Sequence, residues 1–336
     1  MIAGIIGASG YTGRELVKIL LNHKGVSKIN VYGRNSGVKL SKEIPELKNI
    51  YDDEVLPLDP VKIISETDVV FIALPHKVSM EYSPLFQDKV LLIDLSADYR
   101  LNDAALYQKH YENVHIDPGM LGKYVYGLPE IFREDISKAK KIANPGCYPT
   151  SIILGILPLV EKGLIGNSFI SDSKSGHSGA GKKLSETLHG GNLTNNIQPY
   201  KISSHQHIGE IEQILTAVND NKKIHISFTP QVLPFDRGIL SCIYADLTRP
   251  VSKSEIEDIY KKRYDKEPFV RLFFNEIPSL KNCQYTNFCD IGFFLDERLN
   301  RITIVSCIDN LIKGASGQAV QNMNIALGFN EKEGLI

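Results

Sequence analysis

The chain has 336 residues, of which 43% are hydrophobic and 23% charged, and its formal net charge is −1. This composition is typical of a globular protein, and at roughly 100–200 residues per domain the length predicts about two domains. The near-neutral charge argues against a nucleic-acid surface, and no apolar stretch reaches the roughly 20 residues that a membrane-spanning helix needs.

The five cysteines give a second constraint from composition. Their number is odd and no Cys-x-x-Cys pair occurs, which argues against a disulfide framework and against a zinc ribbon. The N-terminal segment lacks the pattern of a signal peptide, because its first charge is Arg14 and the residues before it alternate as a strand and then turn. We therefore expect a cytoplasmic protein with free thiols.

In chain order, residues 1–150 are predicted to alternate strands and helices. Short apolar runs rich in β-branched residues predict strands that are buried on both faces of a parallel sheet; they cover residues 2–6, 29–32, 69–74, 90–95 and 141–144. Residues 13–23 have a helical apolar face. The chain therefore opens as a βαβ unit, and a buried helix is expected at 150–161.

After about residue 165 the pattern changes to longer strands, two of which alternate polar and apolar residues. The predicted strands cover residues 168–173, 224–232, 238–247, 288–295 and 301–308, and the predicted helices cover 209–218, 254–264 and 315–328. Ser252 or Ser254 is expected to cap the second of these helices. Alternation is typical of antiparallel strands with one solvent-exposed face, so we predict a second domain on a mainly antiparallel sheet.

A glycine-rich segment, GASGYTG at 7–13, stands between the first strand and the first helix. Its G-x-x-G-x-x-G spacing is a variant of the dinucleotide fingerprint, in which glycines permit a tight turn and the helix N-terminus faces a pyrophosphate. The alternative is a turn without a ligand, and the flanking strand and helix favour the nucleotide. The candidate cofactor-binding residues are Gly7, Ser9, Gly10, Tyr11, Thr12 and Gly13.

The end of the second predicted strand favours NADP(H) over NAD. An NAD enzyme usually has Asp or Glu about 20 residues past the fingerprint, whereas a 2′-phosphate favours a guanidinium. Here the strand is followed by Gly-Arg-Asn-Ser with no acid. Arg34 and Ser36 are therefore candidate contacts for the 2′-phosphate, with a solvated surface arginine as the alternative.

Cys147 is the candidate nucleophile. It lies in the segment NPGCYPTS between a strand and an apolar helix. A thiol at a helix N-terminus is disposed to ionise, and the thiolate is the reactive form. The alternative is a small buried hydrophobic residue, which is our interpretation of the other four cysteines.

Two histidines and a carboxylate cluster before a helix in the segment SSHQHIGE at 203–210. One interpretation is a histidine that acts as acid or base on the Cys147 centre and is positioned by Glu210. The other is a metal site, but His-x-His alone is weak support and no metal is predicted. The small and basic residues of 172–183, with Ser175 and Gly176 among them, suit an anionic substrate, although a mobile surface loop is the alternative.

Together these motifs resemble the N-acetyl-γ-glutamyl-phosphate reductases of the semialdehyde dehydrogenase group. The resemblance extends from end to end of the chain. It covers residues 7–13, LSADYR at 95–100, YGLPE at 126–130, 144–151, 173–181, HQH at 205–207 and DNLIKGASGQAVQN at 309–322.

The resemblance implies NADPH-dependent reduction of N-acetyl-L-glutamyl 5-phosphate to the semialdehyde with release of phosphate, a step of arginine biosynthesis. It implies that Cys147 is the nucleophile that forms a thioester and that His207 is the acid/base. Arg100 matches a position that contacts phosphate, and Asn310 matches one that approaches the nicotinamide. His205, Glu210, Ser175 and Gly176 complete the expected substrate-binding set.

The implied fold is α/β. A Rossmann-type doubly wound NADP-binding domain is expected at 1–147 and 314–336, with the C-terminal helix returning to it, and an α+β catalytic and dimerisation domain at 148–313. The resemblance also implies a homo-oligomer, a dimer or tetramer. Two residues depart from the family pattern: His177 stands where a small apolar residue is expected, and Gln206 stands where arginine is common.

Three alternatives remain open at this point. The same chemistry could act on N-acetyl-aminoadipyl phosphate of a lysine route or on aspartyl phosphate. One methylene is worth only about 1–3 kcal/mol of discrimination, so the residues do not separate the first of these from the glutamyl substrate. The third alternative is a sensor that binds NADP without turnover, in which Cys147 is structural.

Overall fold

The computed structural model describes residues 1–86, 88–181 and 194–336. These residues divide into two compact units: Met1–Pro145 with Ala315–Ile336 form the first, and Gly146–Gly314 form the second. All five cysteines are free thiols. In the part of the chain that is described, no helix has the length and apolar character to cross a membrane.

The first unit is built on a six-stranded parallel sheet with the strand order β2-β1-β3-β4-β6-β5. Its strands are β1 (Ile2–Ile6), β2 (Lys28–Tyr32), β3 (Val69–Ile72), β4 (Leu91–Asp94), β5 (Val125–Tyr126) and β6 (Lys141–Ala143). Its helices are α1 (Tyr11–Leu21), α2 (Leu40–Glu43), α3 (Pro60–Glu66), α4 (Ser79–Phe86), α5 (Ala104–Tyr111) and α6 (Pro129–Ile136). The predicted parallel sheet is confirmed.

The chain leaves β1 to form β2 on one side and then returns to form β3 on the other side. This is the topological switch point at which doubly wound sheets bind ligands, beyond the carboxyl ends of the strands. The two-residue strand β5 was not predicted, because such a short strand has no recognisable period. The predicted strands at 69–74 and 90–95 are shorter in the structure: β3 ends at Ile72, and β4 covers only Leu91–Asp94.

The second unit contains a seven-stranded sheet with the order β11-β12-β13-β10-β7-β9-β8. Its strands are β7 (Ser168–Gly176), β8 (Gln198–Pro199), β9 (His225–Leu233), β10 (Ile239–Asp246), β11 (Val270–Phe273), β12 (Cys289–Asp296) and β13 (Arg301–Ile308). Its helices are α7 (Cys147–Glu161), α8 (His207–Val218), α9 (Lys253–Tyr264) and α10 (Leu280–Cys283).

Four of the strand pairings in this sheet are antiparallel and two are parallel. The sheet is therefore mixed but mainly antiparallel, as predicted. Burial alternates along β7, β9 and β10. One face packs against the apolar helix α7, and the other is half-exposed. Ser252 caps α9 by accepting a hydrogen bond from Glu255 N at 3.2 Å.

The C-terminal segment packs within the first unit. Helix α11 (Gly317–Ala326) contacts α1 and α6, and Ala319, Val320 and Met323 join the hydrophobic core beside the sheet. Ser316 Oγ donates to Thr12 O at 2.8 Å, which ties the start of α11 to the glycine-rich turn. The first 145 residues and the last 22 therefore share one core.

Replacing Met323 with alanine tests this shared core. Met323 is fully buried, and truncation of a buried methionine costs about 2–5 kcal/mol. We expect a decrease of that size in the free energy of unfolding measured with urea. Leu327→Ala is the control, because Leu327 is 37% exposed; equal losses for the two variants would contradict the packing of α11.

Candidate active site

The turn between β1 and α1 requires two of its glycines for internal packing. Gly7 has φ +93°, and a Cβ there would lie 2.6 Å from Ala73 O. A Cβ on Gly13 would lie 2.4 Å from Gly7 O. Neither position has room for a side chain, so the turn can close only with glycine.

Gly10 is different, because among the described residues a Cβ there would meet only Gly7 O, at an ordinary 3.7 Å. The chain's own packing leaves space beside Gly10 at the start of α1. No side chain caps this helix, and its first turn has no acidic residue. Ser9, Tyr11 and Thr12 are half-buried around the same turn. A helix N-terminus with this open space fits a pyrophosphate.

Arg34 and Ser36 lie exposed in the turn that follows β2. Ile6 is in register with Tyr32, so this turn and the glycine-rich turn follow neighbouring strand ends. A guanidinium at this place suits the 2′-phosphate of NADP.

Arg100 is buried and holds two strand ends. Its Nε donates to Asn144 O at 2.7 Å, and a terminal guanidinium nitrogen donates to Leu95 O at 2.9 Å. These carbonyls directly follow β6 and β4. The sequence resemblance implied only that Arg100 contacts phosphate. The structure shows in addition that its side chain binds backbone carbonyls at these two strand ends.

Asp94 and Asp98 form a buried acidic pair at the end of β4. Asp94 accepts hydrogen bonds from Ser96 N at 2.8 Å and from Ser79 Oγ at 2.9 Å. Burial, together with the charge of Asp98, raises the pKa of Asp94 from 3.8 to about 6. Asp94 therefore binds its proton more tightly in the folded protein than in the unfolded chain.

Cys147 is the first residue of α7 and is half-buried. The residue before it, Gly146, donates its backbone N–H to Glu210 Oε1 at 2.7 Å. A carboxylate therefore fixes the backbone just ahead of the candidate nucleophile. Among the other cysteines, Cys283, Cys289 and Cys307 are buried and Cys242 is half-buried. Burial raises the pKa of Cys283 and of Cys307, which keeps both thiols protonated.

The two histidines have different places in the structure. His207 begins α8, and its backbone N–H donates to His205 Nδ1 at 3.1 Å. His205 is enclosed by aromatic rings and contacts Tyr148, Tyr200 and Phe228 edge-on. His205 thus supports the start of the helix that carries His207.

Tyr148 joins the histidines to the Cys147 end of α7. It follows Cys147 in the chain, and its ring centroid lies 5.9 Å from that of His207. Its hydroxyl accepts from Tyr200 OH at 3.3 Å. Burial raises the pKa of Tyr148 well above its usual range and that of Tyr200 to about 12, so both phenols stay neutral at physiological pH.

Glu210 has a contact that the sequence did not predict. We expect its carboxylate to position a histidine, and in the structure its Oε1 accepts a hydrogen bond from Gly146 N at 2.7 Å. Glu210 is fully buried, three residues after His207 on α8. It links the start of α8 to the start of α7.

Ser175 and Gly176 end strand β7 and are both buried. The Ser175 hydroxyl donates to Gly176 O at 2.9 Å and also hydrogen-bonds to Tyr148. A Cβ on Gly176 would lie 2.5 Å from Asp236 O. The predicted anion loop continues from here, and its Lys182 and Lys183 lie outside the described residues.

Asn310 uses its side chain within the second unit. Its Oδ1 accepts from Gly238 N at 2.6 Å and its Nδ2 donates to Ser178 Oγ at 3.1 Å. The resemblance implied an approach to the nicotinamide, and the structure shows an amide whose orientation is fixed by these two bonds.

The second unit thus brings His205, His207 and Ser175 against Tyr148, the residue after Cys147, and Glu210 against Gly146, the residue before it. Arg34, Arg100 and the glycine-rich turn belong to the first unit. Sequence reasoning did not find Tyr148 or Tyr200 as site residues. Tyr148 had a signal, its place in the NPGCYPTS segment directly after Cys147, whereas Tyr200 lies in none of the motifs. Within the described ranges, no group of three or more His, Cys, Asp or Glu could hold a metal ion.

Comparison with known proteins places this arrangement in a family. Residues 2–139 match the family model of the semialdehyde dehydrogenase NAD binding domain, and residues 147–310 match that of the semialdehyde dehydrogenase dimerisation domain. The chain belongs to the semialdehyde dehydrogenase family. This membership confirms the predicted fold class.

The chain also matches individual relatives over nearly its full length. It is 48% identical to the N-acetyl-gamma-glutamyl-phosphate reductase of Methanococcus vannielii, over 98% of this chain and 96% of the relative. It is 46% identical to the enzyme of that name from Caldicellulosiruptor bescii, over 99% and 97%. Aspartate semialdehyde dehydrogenase II from Vibrio cholerae has the same fold, with a TM-score of 0.74 at 15% identity over 97% and 98% of the two chains.

The buried acid Asp94 gives a pH prediction. Because its folded pKa of about 6 exceeds the ordinary 3.8, the stability from its bound proton is present at low pH and is lost as pH rises through about 6. Between about pH 4 and about pH 7.5, wild type should lose roughly 2 kcal/mol of unfolding free energy relative to Asp94→Asn. Urea unfolding of both proteins at the two pH values measures this difference, and parallel pH profiles would contradict it.

Proposed function

We propose that this protein is an NADPH-dependent N-acetyl-gamma-glutamyl-phosphate reductase that forms a thioester on Cys147. The observation that supports the proposal is a half-buried thiol at the N-terminus of α7. The residue before it, Gly146, is bound by Glu210, and the residue after it, Tyr148, contacts the rings of His205 and His207. The full-length relatives of that name support the substrate.

The first step is acyl transfer to the thiol. The Cys147 thiolate attacks the carbonyl carbon of the acyl phosphate, the C–S bond forms, and the C–O bond to phosphate breaks. The dipole of α7 stabilises the thiolate at its N-terminus. Arg100, Ser175 and Gly176 are the candidate contacts for the anionic substrate, with His205 and Glu210 as supports of the site.

The glycine-rich turn and the β2 turn are the proposed cofactor contacts. Gly7 and Gly13 would close the cofactor-binding turn, and Ser9, Gly10, Tyr11 and Thr12 would contact the pyrophosphate on it. Arg34 and Ser36 would contact the 2′-phosphate. Asn310 would contact the nicotinamide. When bound, NADPH supplies the hydride that reduces the thioester to the aldehyde level.

His207 moves the proton of the reduced centre. It donates a proton to the oxygen of the thiohemiacetal and takes it back as the C–S bond breaks. The aldehyde leaves and the Cys147 thiolate is restored. Two steps are easier than one here because a carboxylate is a poor hydride acceptor, whereas a thioester accepts hydride readily.

The proposal includes the domain roles and the setting. We assign cofactor binding to the first unit, and catalysis and self-association to the second. The description of the matched dimerisation model and the half-exposed faces of β7, β9 and β10 support a homo-oligomer. The five free thiols support a reducing, cytoplasmic setting.

Cys147→Ser tests the nucleophile. Phosphate-dependent reduction of NADP⁺ is measured with N-acetylglutamate semialdehyde, with the homologue one carbon longer and with aspartate semialdehyde. We expect wild type to prefer the first, and the serine variant to lose turnover while binding NADPH normally. Turnover by the variant would overturn the thioester, and NADPH binding by wild type without turnover of any aldehyde would favour a sensor.

His207→Asn, with His205→Asn as its matched control, tests the acid/base. Loss of a general acid/base slows turnover by about 10²–10⁴, so His207→Asn should lower kcat by that factor. In the His205→Asn control, the amide oxygen of the new side chain can still accept the bond from His207 N, so this variant should lose much less activity. A greater loss for His205→Asn would show that the other histidine moves the proton.

A further inference from the structure

We propose that Asp309 is a positioning residue for the reaction of Cys147 and that it acts through the turn that ends at Gly314. This inference rests on the proposed role of Cys147 as nucleophile. All of the residues that carry it belong to the second unit.

The carboxylate of Asp309 organises the chain that follows β13. Its Oδ1 accepts hydrogen bonds from Leu311 N at 2.8 Å and from Ile312 N at 3.1 Å. Its Oδ2 accepts from Tyr285 N at 2.7 Å, and its backbone carbonyl accepts from Gly314 N at 2.9 Å. One fully buried residue therefore sets the path of the chain from 309 to 314.

Arg237 supplies the opposite charge. Its Nε lies 3.5 Å from Asp309 Oδ2, and both side chains are almost completely buried. Its guanidinium carbon lies 4.4 Å from the ring centroid of Tyr285. Burial raises the pKa of Asp309, while Arg237 and the backbone N–H donors oppose that rise. The pair fixes the turn to the segment between β9 and β10.

Gly314 brings the turn against the candidate nucleophile. A Cβ on Gly314 would lie 2.8 Å from Cys147 Cβ and 3.2 Å from Cys147 Cα. The backbone at Gly314 therefore touches the first residue of α7. The turn continues as a π-helical segment, Ile312–Ser316. The π-helix is rare in proteins as a whole, but where it occurs it is often at a functional site.

The contact limits how the Cys147 side chain can lie. If Asp309 no longer held the turn, the backbone at Gly314 would shift away from Cys147. The thiol could then rotate away from the direction in which it attacks the substrate carbonyl. Asparagine at 309 has the same size but offers one acceptor atom in place of two. Its amide would face donors, either Tyr285 N with Arg237 or the N–H groups of Leu311 and Ile312, so the turn would rearrange.

Asp309→Asn tests the proposal in the full-length enzyme. The measurements are kcat, the KM values for both substrates, and the second-order rate constant for alkylation of Cys147 by iodoacetamide. The concentration of active sites is determined by titration, so that kcat refers to folded enzyme only. Misplacing a reacting group by about 1 Å costs about 10²-fold. We expect kcat and the alkylation rate constant both to fall by that factor, with KM values unchanged.

Asp290→Asn is the matched control. Asp290 is also a fully buried carboxylate of this unit, and it pairs with Arg271 Nε at 2.6 Å. The Arg271 guanidinium also lies on an aromatic ring, that of Phe288 at 4.3 Å. A purely structural effect of losing such a pair would appear in both variants, whereas a positioning effect on Cys147 would appear only in Asp309→Asn.

Gly314→Ala provides a test that does not depend on the folding of Asp309→Asn. Its methyl group would collide with Cys147, so the alkylation rate constant should fall, whereas Gly166→Ala, which meets nothing within 4 Å, should not change it. Normal kcat and alkylation in Asp309→Asn or Gly314→Ala would overturn the inference. If Cys147→Ser is inactive at the same time, the proposed function still stands; turnover by Cys147→Ser would overturn the proposed function itself.

Discussion

Buried carboxylates that accept backbone N–H groups hold the turns on which the candidate site depends. In the second unit, Glu210 fixes Gly146 ahead of Cys147, and Asp309 fixes the turn that ends at Gly314. In the first unit, Asp98 accepts from Lys77 N at 2.9 Å. An unpaired carboxylate is costly to bury. Each of these carboxylates therefore needs the backbone N–H groups that the turn beside it provides.

Close approach of backbones is the second constraint, and it explains the glycines. Gly7 and Gly13 let the first turn fold on itself, and Gly176 and Gly314 let other turns pack directly on neighbouring backbone. Among these glycines, Gly10 alone has open space beside it, so it can approach a ligand. The other four pack against atoms of the protein itself. The same residue type thus has two roles, which spacing alone does not separate.

The sequence predicted most elements because their signals are local. Buried strands and the amphipathic helix α1 have clear periods, and β1 and β13 have the predicted bounds. Three strands were missed. β5 and β8 have only two residues each, and all four residues of β11 are half-buried, so none of the three shows a period. Glu210 was found as a site residue, but its contact with Gly146 was not, because the two are 64 residues apart and meet only through packing of α7 against α8.

The sequence by itself indicated the fold class, the family resemblance and Cys147 as the candidate nucleophile, because the residue types and their spacing carry that chemistry. The resemblance implied His207 as the acid/base. The tertiary structure showed that the two histidines have different surroundings, since His205 is enclosed among aromatic rings and His207 lies at the start of α8. It also decided that Asp309 reaches Tyr285 N and, through Gly314, touches Cys147. Such long-range contacts arise when strands and helices pack, so no local pattern records them.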